Sequence, residues 1–240
     1  EFVGYSRYSA AKNHVYGGQV LGQALSAANQ SVEGRLCHSL SAQFLRAGNL
    51  EGPISFKVAN LRDGRNFSVR RVSAVQAGRE LLTLDASFHN EAQGFDQQPL
   101  MPPVAGPESY RAMESYRENF NAIGLSRLYD FLVTQSVFDF RCLELPSYLE
   151  VKKRPPMQRM WVKAKQVIPE DPALQRAMLA FISDHNFIRT ASLPYREQIS
   201  SQPSQMASLN HSMWIHRPVN LNNWHLYDIH IANCFVQRAL

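Results

Sequence analysis

The segment 171–187, DPALQRAMLAFISDHNF, decides how this chain folds. Asp171 can accept a hydrogen bond from a free backbone N–H at a helix start, and Pro172 suits the first helical position because it has no N–H to leave unpaired. The apolar residues that follow recur at three- and four-residue steps, which predicts a long helix over 172–187 with one buried face. They are Leu174, Met178, Phe181 and Ile182.

A polar cluster, SDHN at 183–186, ends the predicted helix. A carboxylate at the negative end of a helix dipole costs a few tenths of a kcal/mol to about 1 kcal/mol, so Asp184 needs compensation from elsewhere. In one interpretation the cluster is a helix C-cap, in which Asn186 leaves the helix and Asp184 is solvated. In the other, Asp184 is a half-buried base flanked by apolar side chains. The segment alone leaves both open.

The segment 206–218, MASLNHSMWIHRP, is the context for that choice. Residues of alternating character from 206 to 216 predict a strand. Because side chains on a strand alternate between two faces, Ser208 and Asn210 share a face. One face of this strand can therefore carry a hydroxyl and an amide.

Composition limits the class of protein. The chain has 240 residues and 45% hydrophobic content, which predicts a globular fold of one large or two ordinary domains. Its three cysteines, Cys37, Cys142 and Cys234, are far apart and odd in number, which favours reduced thiols in an intracellular protein and gives no metal-ligand spacing. No apolar run approaches the roughly 20 residues of a membrane span, so a soluble protein is expected.

The net charge of +5 raises the question of nucleic-acid binding. The densest basic group lies in LRDGRNFSVRR at 61–71 and contains Arg62, Arg65, Arg70 and Arg71. No zinc finger, helix-turn-helix pattern or aromatic RNA motif accompanies it, which argues against a nucleic-acid partner. A solvated hairpin face and a site for a phosphate-bearing small ligand remain as the two interpretations.

The order of helix and strand patterns along the sequence predicts an α+β fold. A helix over 15–28 begins near Gly17 and Gly18, whose backbone N–H groups can meet an anion or a carbonyl oxygen. Strand-like runs with hairpin signals at Asp63-Gly64 and Ala77-Gly78 then follow, as in an antiparallel meander.

The proline-rich stretch 99–135 predicts a connector with peripheral helices, between a first half over 1–98 and a second half over 136–240. Strand, buried helix and antiparallel strands occur in that order in both halves. The halves share this order of elements without an obvious sequence repeat.

Six blocks of the chain resemble the acyl-CoA thioesterase II family, the bacterial and peroxisomal double hot-dog thioesterases. In order along nearly the whole chain, they are VYGGQVLGQALSAA, HSLSAQFLRAG, RDGRNFSVRRVSAVQ, DASFH, FISDHNF and SLNHSMWIHRP. The resemblance implies two hot-dog halves, each a sheet wrapped around one long helix, here 15–28 and 172–187. It also implies hydrolysis of fatty acyl-CoA to the free acid and coenzyme A without a metal or cofactor.

The resemblance implies a water held by an Asp, a Thr or Ser, and a Gln. The Asp falls on Asp184 and the hydroxyl on Ser208. The ending IANCFVQRAL looks like the family's last strand, which puts the glutamine on Gln237. Two departures are expected to matter. The family's usual Asp before the His of the HSMW segment is Asn210 here, and only about a dozen residues separate Trp224 from Gln237, so the second sheet is expected to be shortened or incomplete.

Further substrate contacts are expected from the residues taken together with the substrate that the resemblance implies. The N–H groups of Gly17 and Gly18 are the expected oxyanion donors, Arg65 and Arg70 are expected to hold coenzyme A phosphates, and His211 is placed in the substrate site. Histidines such as His211 more often satisfy structural hydrogen bonds.

An acyl-CoA-binding or scaffold protein without turnover is the alternative function. A hot-dog hydratase is disfavoured because no paired Asp/His signature occurs at a helix start. We further expect a homo-oligomer without a membrane span, located in the cytoplasm or the peroxisome.

Overall fold

A computed structural model of the chain describes residues 1–6, 14–90, 92–199, 206–235 and 238–239. The first half contains β1 (Phe2–Gly4), α1 (Gly17–Asn29), β2 (Leu36–Phe44), β3 (Ile54–Asp63), β4 (Phe67–Gln76) and β5 (Arg79–His89). The hairpin between β4 and β5 turns at Ala77 and Gly78, both with positive φ. This turn and the one after Asp63 are the two predicted hairpins.

The remaining elements begin with short helical turns in the stretch 99–135 and continue through the second half. They are 3-10 turns at Pro107–Ser109 and Met113–Tyr116, α2 (Arg117–Ala122), α3 (Ser126–Tyr129), a π turn at Asp130–Thr134, β6 (Phe138–Cys142), β7 (Met157–Ala164), α4 (Pro172–Ser183), α5 (Phe187–Ser192), a 3-10 turn at Leu193–Tyr195, α6 (Arg196–Ile199), β8 (Asn210–Trp214), β9 (His225–His230), β10 (Cys234–Phe235) and β11 (Arg238–Ala239).

The strands form two main antiparallel sheets, which agrees with the predicted α+β class. The first has six strands in the order β1-β3-β4-β5-β2-β8, and the second has three in the order β6-β7-β9. Strand β8 belongs to the second half of the sequence but pairs with β2, with Met213 opposite Leu40. Among the described residues, β10 and β11 pair only with each other. The second sheet is therefore the shorter one, as expected.

Each central helix packs on a core of its own. Helix α1 packs against the inner face of the first sheet, where Leu21, Ala24, Leu25 and Ala28 are almost fully shielded from solvent. Near its C-terminal end, α4 packs against β6, where the Phe138 and Phe181 rings stack with centroids 6.0 Å apart. The small and apolar residues of each helix thus fill the two cores.

Helices α1 and α4 run antiparallel in close contact. At one end Gly18 lies against Phe181, and at the other the Asn29 side-chain amide donates to the Ala173 carbonyl at 3.1 Å. A Cβ on Gly18 would stand 2.2 Å from the Phe181 carbonyl oxygen, and one on Gly22 2.8 Å from the Ala177 carbonyl oxygen. Two glycines four residues apart therefore let the backbones approach.

Two expectations need correction. The helices of the proline-rich stretch are not peripheral, because their large side chains are buried and complete the second core: Met113, Tyr116, Phe120, Tyr129, Phe131 and Leu132. The predicted continuous helix over 172–187 instead ends at Ser183 and resumes as α5, because Asn186 takes a left-handed conformation with φ of 70°. No helix among the described residues is long and apolar enough to cross a membrane.

Gly18→Ala is expected to lower the free energy of unfolding by about 1–3 kcal/mol or more, because a Cβ at 2.2 Å from a backbone oxygen forces the two helices apart. Denaturant unfolding followed by circular dichroism measures this loss. Gly94→Ala is the matched control, since its Cβ would meet no atom within 4 Å. Equal stability of the Gly18→Ala variant and the parent protein would contradict the close helix contact.

Candidate active site

The end of α4 places Asp184 at the junction of the two central helices. Asp184 is the C-cap residue of α4, with φ −84° and ψ 4°, and the chain turns sharply two residues later at Asn186. The turn is held from the side, because the Ser147 hydroxyl donates to Asn186 Oδ1 at 2.9 Å in a buried contact. Asparagine tolerates the left-handed region better than most residues, which explains its use here.

Two groups from other elements hydrogen-bond the Asp184 carboxylate. The Ser208 hydroxyl donates to Oδ1 at 2.8 Å, and the backbone N–H of Gly18 in the first turn of α1 also bonds to the carboxylate. Oδ2 lies against Gly17, where a Cβ would stand 2.8 Å away. Four residues assigned separately from sequence, Gly17, Gly18, Asp184 and Ser208, are thus in one place.

This arrangement supplies the compensation that Asp184 requires. The carboxylate lies at the negative end of its own helix but at the positive end of α1, where the N–H groups lack intrahelical partners. Helix α1 has no capping side chain of its own, since Tyr16 at its N-cap makes no such bond. Asp184 therefore supplies an acceptor at the start of a helix far away in sequence.

Burial nevertheless raises the pKa of Asp184 to about 6. Desolvation of the carboxylate is the larger effect, and the hydrogen bonds from Ser208 and Gly18 lower the pKa only in part. The residue is half-buried and not simply solvated, so the geometry matches the second of the two sequence interpretations. A carboxylate with a pKa near neutrality is suited to accept and return a proton.

His211 supports the helix end without bonding the carboxylate. Its Nε2 lies 2.9 Å from the Ser183 hydroxyl, which also donates to the Ala180 carbonyl at 2.9 Å. Because that hydroxyl has one proton to give, His211 is the donor in this pair. Burial lowers the pKa of His211, which favours the neutral ring. The structure thus gives His211 a structural hydrogen bond one residue away from Asp184.

Sequence reasoning missed Tyr227 in β9. Its hydroxyl donates to the carbonyl oxygens of Ser183 and His185, at 2.7 and 3.2 Å, and so fixes the two residues that flank Asp184. Burial, with the Asp184 charge as a smaller cause, raises the pKa of Tyr227 well above its usual value, so the hydroxyl remains a donor. Only the position of Tyr227 in a strand of the second sheet brings it here, and no local motif marks it.

His185 was also passed over, and it is not suited to acid–base chemistry. Its ring stacks on Phe140 with centroids 4.6 Å apart, and burial lowers its pKa to about 4. The imidazole is therefore neutral across the range in which Asp184 ionises.

The predicted role of Arg70 in binding phosphates is wrong. Arg70 is buried, and its guanidinium donates to Ser31, Asp63 and the carbonyls of Arg62 and Val69. It faces inward because it shares a strand face with Val72 and Ala74. Its contact with Ser31 lies beyond the C-terminal end of α1, and 13 helical residues separate this end from Asp184 by about 20 Å. Arg65, in the same hairpin, is exposed.

Gln237 lies outside the described residues, so its assignment stays a prediction. Within the described part of the chain, no group of three or more His, Cys, Asp or Glu side chains is arranged to hold a metal ion.

Two family models match the chain. Residues 6–89 match the model described as "Acyl-CoA thioesterase N-terminal domain", and residues 139–240 match "Acyl-CoA thioesterase". The chain is 36% identical to acyl-CoA thioesterase 2 of Haemophilus influenzae over 227 residues, which are 94% of this chain and 79% of that protein. It is 34% identical to human acyl-coenzyme A thioesterase 8 over 230 residues, with 92% and 72% covered.

Solved structures agree with the sequence matches. Acyl-CoA thioesterase II TesB2 of Mycobacterium marinum has a TM-score of 0.76 and 29% identity, over 99% of this chain and 82% of that one. A hot dog protein of unknown function from Alicyclobacillus acidocaldarius has a TM-score of 0.73 at 16% identity, over 98% and 82% of the two chains. The latter likeness supports the fold alone, and the predicted hot-dog architecture is confirmed.

Asp184→Asn is expected to raise the free energy of unfolding above about pH 6. The folded-state pKa of Asp184, about 6, exceeds its ordinary value of 3.8, so the folded protein holds this proton more tightly than the unfolded chain does. The resulting stability is fully present below pH 3.8 and is lost as the pH rises through about 6. At 1.36 kcal/mol per pKa unit, the neutral amide avoids a penalty of up to about 3 kcal/mol.

Denaturant unfolding of both proteins at several pH values from 4 to 8 measures this difference. Titration of His185 occurs in both proteins and cancels in the comparison. Asp130→Asn, at an exposed carboxylate, is the control substitution. A stability difference that does not change with pH would show that Asp184 is not desolvated in solution.

Proposed function

Because this chain belongs to the acyl-CoA thioesterase II family, we propose that it hydrolyses fatty acyl-CoA thioesters to the free acid and coenzyme A, with Asp184 as general base. The relatives named above are acyl-CoA thioesterases, and the enzyme class, a thioester hydrolase, follows from membership of their family. The fatty acyl preference and the residue roles are our proposals.

The reaction requires one proton to be moved twice. Asp184 accepts a proton from a water molecule as the water oxygen attacks the thioester carbonyl carbon. The Ser208 hydroxyl donates a hydrogen bond to Asp184 and keeps its proton, so its oxygen can accept a hydrogen bond from the same water and orient it. When the tetrahedral intermediate collapses, the carbon–sulfur bond breaks and the proton held by Asp184 passes to the departing thiolate. The products are a carboxylic acid and a thiol.

The start of α1 is the proposed oxyanion site. The N–H of Gly18 already bonds to Asp184, which leaves the neighbouring N–H of Gly17 as the better-placed donor for the developing charge. Glycine at this position also leaves room beside the carboxylate, since a Cβ on Gly17 would stand 2.8 Å from Asp184 Oδ2.

A single observation favours turnover over acyl-CoA binding alone. A protein that only binds its ligand gains nothing from a carboxylate whose ionisation is opposed by burial, whereas a general base needs a pKa close to the working pH. The Asp184 pKa of about 6, next to a hydroxyl at 2.8 Å, fits the catalytic requirement.

Asp184→Asn is expected to lower kcat by about a hundredfold or more, on the scale of a lost general base. In the parent enzyme, kcat/KM should fall below about pH 6 as Asp184 becomes protonated. Ser208→Ala should lower kcat and move this acid limb to higher pH, because the lost hydrogen bond had lowered the pKa of Asp184. Release of thiol from palmitoyl-CoA measures each rate.

Ser208→Thr is the matched control, since it keeps the hydroxyl and should leave kcat close to that of the parent enzyme. If Ser208→Ala and Ser208→Thr lose equal activity, packing is responsible and not the hydrogen bond. An Asp184→Asn variant with the parental rate would leave Asp184 as no more than an acceptor for the start of α1.

Gln237→Ala tests the third proposed water ligand. If the side-chain amide holds the water, the substitution should reduce kcat and leave the Kd of a non-hydrolysable acyl-CoA analogue nearly unchanged. A thiol-release assay measures kcat, and calorimetry with the same preparation measures the Kd of the analogue. Unchanged kcat would show that Gln237 does not hold the water. Homo-oligomerisation and an intracellular location likewise stay predictions.

A further inference from the structure

Three arginines converge beside the end of α4, and we call them the arginine cluster. Arg154 precedes β7, Arg189 lies in α5 and Arg196 begins α6. All three contact the segment 145–148, since Arg154 Nη1 donates to the Leu145 carbonyl at 3.3 Å, Arg189 lies over the Tyr148 ring and Arg196 Nη2 donates to the Ser147 carbonyl. Arg154 Nη1 lies 3.7 Å from Glu150 Oε2, and Arg154 Nη2 donates to Gln158 Oε1 at 3.1 Å, so protein groups pair part of the cluster.

The cluster is only partly satisfied by the protein itself. The Nε atoms of Arg154 and Arg196 are buried and have no hydrogen-bond partner among the described residues. The Arg189 guanidinium lies over the Tyr148 ring, 5.6 Å from its centroid, and donates no hydrogen bond within the same set. Burial, followed by the charge of Arg189, lowers the pKa of Arg196. Half-buried like charges with unpaired donors are costly unless an anion joins them.

The cluster also adjoins the candidate active site. Arg196 donates to the Ser147 carbonyl, and the Ser147 side chain bonds to Asn186, two residues after Asp184. A short path of hydrogen bonds therefore joins the cluster to the loop that carries Asp184.

The geometry points to the arginine cluster as the site that holds the phosphate groups of coenzyme A, an inference that rests on the proposed function. Guanidinium groups bind phosphate oxygens in a fork, and several together match a ligand with more than one phosphate. The exposed Lys152 and Lys153 precede Arg154 and add positive charge at the rim. In contrast, the buried Arg70 is already paired with Asp63 at 2.8 Å and has no buried nitrogen without a hydrogen-bond partner among the described residues.

The test compares two substrates with the same thioester. An acyl-CoA carries the phosphates, and the matching acyl-pantetheine carries none. For the Arg189→Gln, Arg196→Gln double variant we expect KM for acyl-CoA to rise about tenfold or more with kcat nearly unchanged, because phosphate contacts are made alike in the ground and transition states. Kinetics with acyl-pantetheine should change less than about twofold. The difference should shrink as salt screens the charges.

Several controls make the result specific. Arg127→Gln removes an exposed positive charge in α3 and should change neither substrate. Arg189→Gln alone is the variant to use if the double variant folds poorly, since this guanidinium donates no hydrogen bond to the described residues. The thioester of dephospho-coenzyme A separates the 3′-phosphate from the pyrophosphate. Inorganic pyrophosphate as a competitor tests whether the cluster takes any phosphate or only one tethered to the thioester.

Three results would overturn the inference. The first is an unchanged KM for acyl-CoA in the double variant. The second is an equal loss of kcat/KM with both substrates, which would indicate a structural role through Ser147. The third is a raised KM in Arg65→Gln but not in the cluster variants. If the parent protein hydrolyses neither substrate, the proposed function fails separately. Calorimetry then measures the Kd of coenzyme A for both proteins. The inference requires a higher Kd for the double variant than for the parent protein.

Discussion

The rest of the site depends on the contact between the end of α4 and the start of α1. Each helix end is unfavourable alone, because α4 places a carboxylate at its negative end and α1 begins without a capping side chain. Joined, they satisfy each other, since the N–H of Gly18 bonds to Asp184. The join is possible because Gly18 and Gly22 allow α4 to approach within a distance that any Cβ would prevent. Helix packing and the placement of the base are therefore one constraint.

That constraint also sets the electrostatic environment of Asp184. Two hydrogen bonds favour the ionised carboxylate, yet burial opposes it more strongly and leaves the pKa of Asp184 at about 6. Better solvation would stabilise the fold but would make the carboxylate a weaker base. Tyr227 and His211 hold the helix end through its carbonyls and through Ser183, so they fix the position of the carboxylate without adding a charge beside it. Stability is thus given up at the residue that we propose as the general base.

Local patterns predicted the elements well and their partners poorly. Helices α1 and α4, and the C-cap with Asn186, follow from residue spacing and cap chemistry, but the pairing of β8 with β2 joins residues about 170 positions apart and leaves no local signal. Only the family resemblance assigned Ser208 to the same site as Asp184. The error at Arg70 was avoidable, because strand alternation already puts it in phase with Val72 and Ala74 on the inner face. The arginine cluster was not predictable, since its members come from a loop and two short helices.

The strand pairing is similar in the two halves, and comparing the two ends of the α1–α4 helix pair explains why only one of them carries the candidate site. β1 pairs with β3 as β7 pairs with β9, and the His-Ser pairs at 38–39 and 211–212 flank the β2–β8 contact symmetrically around Leu40 and Met213. At the opposite end of the helix pair, however, α4 begins with Asp171 and Pro172. The aspartate takes the N–H groups of Ala173 and Leu174, and proline has none. The C-cap of α1 is Gln30, which brings no carboxylate. Because Asp171 already caps α4, the start of α4 has no free backbone N–H for a carboxylate at the end of α1. The start of α1 has no capping side chain, so its N–H groups can bond to Asp184.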